Sequence, residues 1–392
     1  MRIFYASTHT INNEMPTSRL WYINLFLPLQ DLGHDVIPFD YDLIPHFRHL
    51  NLSDPAHQAF VAANRPRLEQ ALLEQVEAAH RQRPVDLFFS YFYSAFCRPE
   101  VIQEIRRLGI ITVNWYCNAS YQFDMVKEIA PAYDYCLVPE KFRLDDYRRI
   151  GANPIYFQEA ANPHFYKPYP SLRREFDVTF IGQKYGERPA YIRYLLDQGI
   201  DVKVFGWGWL PQPAADTVPH GVLADLRKLK RLSTIEGWRA AGRRLKRLIA
   251  PPPSSPAPVE IALPLSALGP PLSDEDMVKM YSRSKISLGF STCGETHLTE
   301  QPIKQVRLRD FEAPMSGAFY MVEYMEELEE FFEIGKEIVC YYDQADLADK
   351  IKYYLAHEEE REQIRQAGHR RALAEHTWQR RFEQFFRQVG LA

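Results

Sequence analysis

The feature that most restricts this chain is an alternation of short apolar runs with helix-periodic stretches, and it occurs twice. The apolar run 3–6 is followed by a helical stretch over 19–31, which Gly33 stops, and strand pattern resumes at 35–39. Next come a helix around 67–81, the run VDLFFS at 85–90, a helix over 99–108 ended by Gly109, and a strand at 110–115. Helices are read from apolar residues three and four apart and from glycine stops, strands from short apolar runs. Apolar strands separated by helices predict a parallel sheet covered on both faces. The second series opens with DVTFIG at 177–182, a helix over 190–198 and a strand at 201–206. Ser273 then opens a helix with Asp276 as its capping-box acid, and strands follow at 286–291, 319–322 and 338–342. After helices over 344–356 and 358–374, Trp378, Phe382, Phe385 and Val389 fall on one face of a last helix.

The expected architecture is α/β with two doubly wound domains, 1–168 and 169–375, and the segment 376–392 returning to the first. Open sheets of this kind take ligands at the carboxyl ends of their strands. Residues 211–271 interrupt the second series with a basic stretch and the run PPPSSPAP at 251–258, which reads as an extended surface segment. A length of 392 residues suits two ordinary domains. Lys and Arg number 47 against 51 Asp and Glu, so no global polycation points to nucleic acid. The five cysteines lack CxxC or zinc spacing and read as reduced thiols. With no signal-peptide pattern at the N-terminus and no apolar span of about 20 residues, a cytoplasmic location is expected.

Several stretches, in order, carry a resemblance. SRLWYINLFLPLQDLGHDVIPFDYD (18–42), DVTFIGQKYGERPAYI (177–192), VRLRDFEAPMSGAFYM (306–321), LEEFFEIGKEIVCY (328–341) and the closing HTW (376–378) resemble the CgeB-type, spore-maturation glycosyltransferases. The likeness covers most of the chain outside the interruption. It implies a GT-B fold, two Rossmann-like domains facing across a cleft, with a nucleotide-sugar held mainly by the second domain and an acceptor by the first.

In that family context Glu312 is the expected holder of the donor ribose, since an acceptor-only carboxylate takes protons from two adjacent hydroxyls. Gly317, five residues on, would admit ligand close to the backbone. The bland reading of Glu312 is an acid favoured at a helix N-terminus. Many GT-B enzymes carry a second glutamate eight residues earlier, where this chain has Lys304. Arg307 and Arg309 lie nearby, and Arg309 is the stronger expectation for the diphosphate because guanidinium pairs phosphate bidentately. The loop GQKYGER (182–188) follows a strand and precedes a helix, so Gly182, Lys184 and Arg188 are expected near phosphate. Trp207, in GWGW (206–209), either walls the nucleotide or belongs to a core.

For a catalytic base the candidates are His9 and Glu14 in the first βα loop and Asp124 after WYCNASYQF. No metal or other cofactor is expected: Asp40 and Asp42 form a D-x-D at a strand end, and Asp274, Glu275 and Asp276 fit a first helical turn. In 226–249, Leu226, Leu229, Leu232, Ile235, Trp238 and Leu245 recur at helical spacing among Arg and Lys. This pattern fits either peripheral contact with the inner membrane face or a helix packed on its own domain, and Gly237 and Gly242 weaken it. Sugar transfer to a glycan, lipid-linked sugar or protein is the leading expectation. A GT-B-like nucleotide-sugar epimerase and a non-catalytic nucleotide-sugar-binding scaffold are its rivals.

Overall fold

The computed structural model of the protein describes residues 1–7, 19–210 and 261–391. Its frame is two parallel six-stranded sheets. The first, in the order β2-β1-β3-β4-β5-β6, uses Arg2–Ala6 (β1), Asp35–Pro38 (β2), Leu87–Ser90 (β3), Ile111–Trp115 (β4), Tyr135–Val138 (β5) and Pro154–Tyr156 (β6). The second, in the order β12-β11-β10-β7-β8-β9, uses Phe176–Ile181 (β7), Val202–Phe205 (β8), Leu268–Gly269 (β9), Ser284–Gly289 (β10), Tyr320–Glu323 (β11) and Val339–Tyr341 (β12). With helices around the sheets, this is the GT-B arrangement of two Rossmann-like units.

Central strands are buried along their length because helices cover both sheet faces. In β3 all four residues are buried, and Phe89 stacks on its register partner Tyr5 of β1 at 5.9 Å. In the first half, chain order runs from β1 outward to β2, then returns to β3 on the other side of β1. In the second it runs from β7 out to β8 and β9, then returns to β10 beside β7. The β1/β3 and β7/β10 junctions are therefore switch points, where the loops leaving the strands diverge and open a crevice.

The Pro55–Gln82 helix starts well before the expected 67–81, capped by Asp54, and carries Pro66 inside it. β5, β6 and β9 were not expected, and β9 lies within the 211–271 interruption. The amphipathic stretch 226–249 lies outside the described residues.

The closing helix, Trp378–Gln388, packs Trp378, Phe382, Phe385 and Phe386 into the core of the first sheet. The HTW triplet makes the crossing. His376 Nε2 meets the Phe331 carbonyl of the second half at 2.7 Å, and burial pushes its imidazole pKa down to about 3. Two residues later the Trp378 indole donates to Asn24 Oδ1 at 3.0 Å. Asn24 sits in a π-helical turn, Tyr22–Phe26, and its amide nitrogen donates to the Tyr166 hydroxyl at 3.1 Å. Trp378 lies 354 residues from Asn24, so a few polar contacts tie the chain's end to its beginning.

Candidate functional site: a cavity at the strand ends of both sheets

Segments at the carboxyl ends of strands in both sheets line a cavity of about 450 Å³. Tyr91 after β3, Cys117 and Asn118 after β4, and Glu159 after β6 come from the first half. Gly182 after β7, Phe290 after β10, and the start of the Leu308–Met315 helix come from the second.

On the second-half wall, Glu312 is fully buried in the Leu308–Met315 helix. Its Oε2 accepts from Arg309 Nη1 at 2.6 Å. Its Oε1 is buried without a hydrogen bond in good geometry, and the Tyr166 phenol is the neighbouring polar group. Burial raises the Glu312 pKa, with Arg309 pulling it back. Arg309 is about one-third exposed (35%) and also contacts Met277 Sδ.

Arg307 precedes this helix, and its amide donates to Asp310 Oδ2 at 2.8 Å, which closes the first turn. Its Nε donates to Phe290 O at 2.9 Å and its Nη2 to Thr292 O at 2.8 Å, while Nη1 has no hydrogen bond among the described residues. Arg188 is buried; Nη1 donates to Gln183 O at 2.9 Å and the guanidinium lies 3.7 Å from the Tyr185 ring centroid. Burial lowers its pKa to about 10. Gly182 has to be glycine for a packing reason, because a Cβ there would come within 2.6 Å of Phe180 Cζ.

The first-half wall is mostly aromatic and neutral. Tyr91 takes a hydrogen bond from Asn118 Nδ2 at 3.1 Å, and Trp21 packs 5.2 Å from the Tyr91 ring. Glu159 is the exception, a carboxyl on a residue only 6% exposed that lines the cavity with no hydrogen bond to its oxygens among the described residues. Burial raises its pKa well above the usual carboxylate range, helped by Glu140, Glu312 and Asp310 and opposed by Arg307. Sequence reasoning missed it because β6 was not recognised. An acid directly after an apolar strand run, in PIYFQE, was the available signal.

Of the sequence candidates, Gly182, Arg188, Arg309 and Glu312 line one cavity. Gly317 does not. It ends the Leu308–Met315 helix at φ 73°, with its amide on the Pro314 carbonyl, and lines a separate pocket beside Pro168 and Arg365. Its glycine requirement is that of a left-handed helix end, reinforced by Pro168 Cγ, which a Cβ would approach to 2.9 Å. Trp207 is 63% exposed and outside the cavity, whereas Trp209 is buried and donates from Nε1 to Gly182 O at 2.7 Å. Lys184 also lies outside it, with its amide on Trp207 O at 2.9 Å. Asp124 is exposed, paired with Lys127 at 2.6 Å, and lines no part of the cavity. His9 and Glu14 lie outside the described residues. Lys304 pairs with buried Glu323 at 2.8 Å, a brace for the loop after β10, because Glu323 also accepts from the Ser291 and Thr292 amides at 3.0 Å. Asp42 accepts from the Ile44 amide at 3.0 Å, as a turn acid does.

Residues 239–387 match the model of a glycosyl transferase-like family. Solved structures of the same fold span the whole chain. A sucrose-phosphate synthase from Thermosynechococcus elongatus is 13% identical, covering 99% of this chain and 98% of its own, at a TM-score of 0.57. HepE from Anabaena, in complex with UDP-glucose, is 12% identical over 100% of both chains, also at 0.57. A glycosyltransferase from Rickettsia africae is 10% identical over 99% and 98%, at 0.53. No curated protein sequence matches the chain.

Proposed function

We propose that the protein is a glycosyltransferase, of the CgeB type that its motifs resemble, moving a sugar from a nucleotide-sugar to a hydroxyl-bearing acceptor. The observation that carries this is the cavity between the strand ends of both sheets, walled by buried Glu312, Arg307 and Arg188 from the second half and by Trp21 and Tyr91 from the first. The match of residues 239–387 and the UDP-glucose bound by a protein of the same fold support it.

Each half has a part in this reading. Glu312 Oε1, which has the Tyr166 phenol beside it, takes a ribose hydroxyl proton in place of that neighbour, and Arg307 meets the diphosphate through its uncommitted Nη1, a better placement than that of Arg309, which is engaged by Glu312. Gly182 and the loop after β7 let phosphate approach main-chain amides. Trp21, backed by the buried Tyr91 ring at 5.2 Å, offers a ring face on which an acceptor sugar stacks. Transfer breaks the bond between the sugar C1 and the diphosphate oxygen and forms one to the acceptor oxygen, and the acceptor's proton leaves with a base. The protein works in the cytoplasm without a divalent metal, and the basic stretch 226–249 attaches it to anionic lipid. No described helix is long and apolar enough to cross a membrane.

A thermal-shift panel of nucleotide-sugars tests the donor. A ligand at 100 times its Kd adds about 2.7 kcal/mol to the folded state. Product analysis with the best ligand, with and without EDTA, then tests transfer and metal independence. A panel in which no nucleotide or nucleotide-sugar shifts the melting curve removes the reading. Unchanged sedimentation with anionic vesicles after deletion of 226–249 removes the membrane attachment alone.

A further inference from the structure

We propose that Glu159 is a proton-bearing wall of the cavity, neutral in the free protein, which donates a hydrogen bond to a phosphate oxygen of a bound nucleoside diphosphate, so that binding is linked to a proton. This rests on the nucleotide-sugar reading above and adds a residue that the motifs do not mark.

The geometry makes Glu159 unusual among the charged groups lining the cavity. Arg309 is engaged by Glu312, Arg188 by the Gln183 carbonyl and the Tyr185 ring, and Arg307 by main-chain carbonyls after β10. The Glu159 carboxyl lines the same space, nearly enclosed, with no partner among the described residues. A buried ionised carboxylate without a partner is costly, and the group avoids this by keeping its proton.

The groups around it push the same way. Glu140 follows β5, Asp310 and Glu312 belong to the Leu308–Met315 helix, and all three disfavour a further negative charge. Cys117 after β4 is neutral, its thiol pKa raised by burial and by Glu159 and Glu140. Arg307, from the opposite half, opposes them. A diphosphate entering the cavity adds negative potential, which holds the proton more firmly still. A neutral carboxyl has an O–H to give, and its hydrogen bond to an anionic oxygen is of the short, strong kind. An ionised Glu159 would repel the same ligand.

The test uses the full-length protein and whichever of UDP, GDP, ADP and dTDP raises its melting temperature most at pH 6. Its Kd is measured by calorimetry from pH 6 to 9 for wild type, Glu159→Gln and Glu159→Ala, with the matching nucleoside as control. The nucleotide's own phosphate ionisation is common to all three proteins and cancels in the comparison. We expect wild-type Kd to rise more steeply than that of the Gln variant, by up to about tenfold per pH unit where the free carboxyl ionises. The Gln variant keeps a donor and binds at pH 9 at least as well as wild type. At pH 6 the Ala variant loses about ten- to 150-fold. Nucleoside binding is the same in all three. Repeating the titration in buffers of different ionisation heat, at the pH where the wild-type and Gln profiles part, should show more proton uptake by wild type than by the Gln variant, the phosphate's own contribution being common to both. Parallel pH profiles for wild type and Glu159→Gln, both shown folded by their melting curves, overturn the assignment and leave the nucleotide-sugar reading standing. Absence of binding by any nucleoside diphosphate overturns both.

Discussion

Trp21, Tyr91, Cys117 and Asn118 face Arg188, Arg307, Arg309 and Glu312 across the cavity; both sheets contribute aromatics to its walls, but its arginines all come from the second half. Their cores differ as well. The first half has one continuous core, completed by four aromatics of the returning Trp378–Gln388 helix. The second has two clusters, separated by the sheet and centred on Phe311 and Met315 on one face and on Val204 and Ile351 on the other. A parallel sheet needs cover on both faces, and the second half supplies its own, whereas the first borrows a helix from the chain's end. The cavity's arginines thus come from the half that needs no helix from the chain's end, although Ile23, Ala161 and Tyr166 pack into one of its clusters. The wall without an arginine belongs to the half whose core the returning helix completes.

The largest effect should come from breaking that borrowed core. Trp378→Ala removes a fully buried indole and orphans the Asn24 carbonyl that it serves, a loss of about 3–5 kcal/mol in unfolding free energy. Chemical denaturation with probes in each half should show the first half melting earlier in the variant. Coincident transitions with wild-type midpoints would mean that the helix is dispensable to that core.

Next in size is the charged wall. Glu312→Ala should weaken donor and free nucleotide together by about ten- to 150-fold, the worth of roughly 1.5–3 kcal/mol for a charged hydrogen bond. Glu312→Gln should lose less, because its amide oxygen still accepts one hydroxyl proton. Arg307→Ala should weaken diphosphates and spare the bare nucleoside. Calorimetry on folded variants decides this, and wild-type affinity in Glu312→Ala would break the assignment of the donor to the second half.

These walls were unequally legible in the sequence. Apolar runs bounded by glycine stops and helical periodicity read cleanly, which is why β1, β2, β3, β4, β7, β8, β10, β11 and β12 fall where strands are expected, while β5, of four residues like β3, does not. β6 has only three residues and begins with Pro154, and β9 has two, within a proline-rich stretch. Edge strands this short carry no periodicity to read. Missing β6 hid Glu159, since an acid gains meaning only when its strand end is known to face a cavity. Glu312, Arg188 and Gly182 were legible because local motif and strand end coincide there. Gly317 and Trp207 lie outside this cavity although their spacing fitted, because one caps a helix and the other faces solvent.

A smaller effect concerns pH and the fold itself. Glu159 binds a proton in the folded protein at pH values where an exposed glutamate has lost it, so the folded state holds more protons than the unfolded one. Stability then falls as pH rises from about 5 toward the folded-state pKa, by at most about 1.4 kcal/mol per pH unit for this one group. Glu140, raised to about 7 by burial, adds a slope of the same sign over a narrower window. Urea unfolding at pH 5 and pH 8 should show Glu159→Gln losing less stability than wild type across that interval. An equal loss would place the Glu159 proton outside this range.

The smallest effect separates two tryptophans two residues apart in GWGW. Trp209 is buried against Phe180 with ring centroids 6.1 Å apart, and its indole N–H holds the Gly182 carbonyl at the mouth of the cavity. Trp207 is 63% exposed and lines no part of that space. Trp209→Ala should therefore cost about 3–5 kcal/mol in stability and loosen the loop after β7, with weaker nucleotide binding as the consequence. Trp207→Ala should stay within about 0.5 kcal/mol of wild type, as exposed positions do. Its nucleotide affinity should be unchanged, because a ring in solvent removes no contact when truncated. A tenfold loss of nucleotide affinity in Trp207→Ala, without loss of stability, would mean that the cavity wall extends past Gly206 when ligand binds. The aromatic lining of the second half, which already includes Phe180, Tyr185, Phe290 and Tyr320, would then reach the loop after β8.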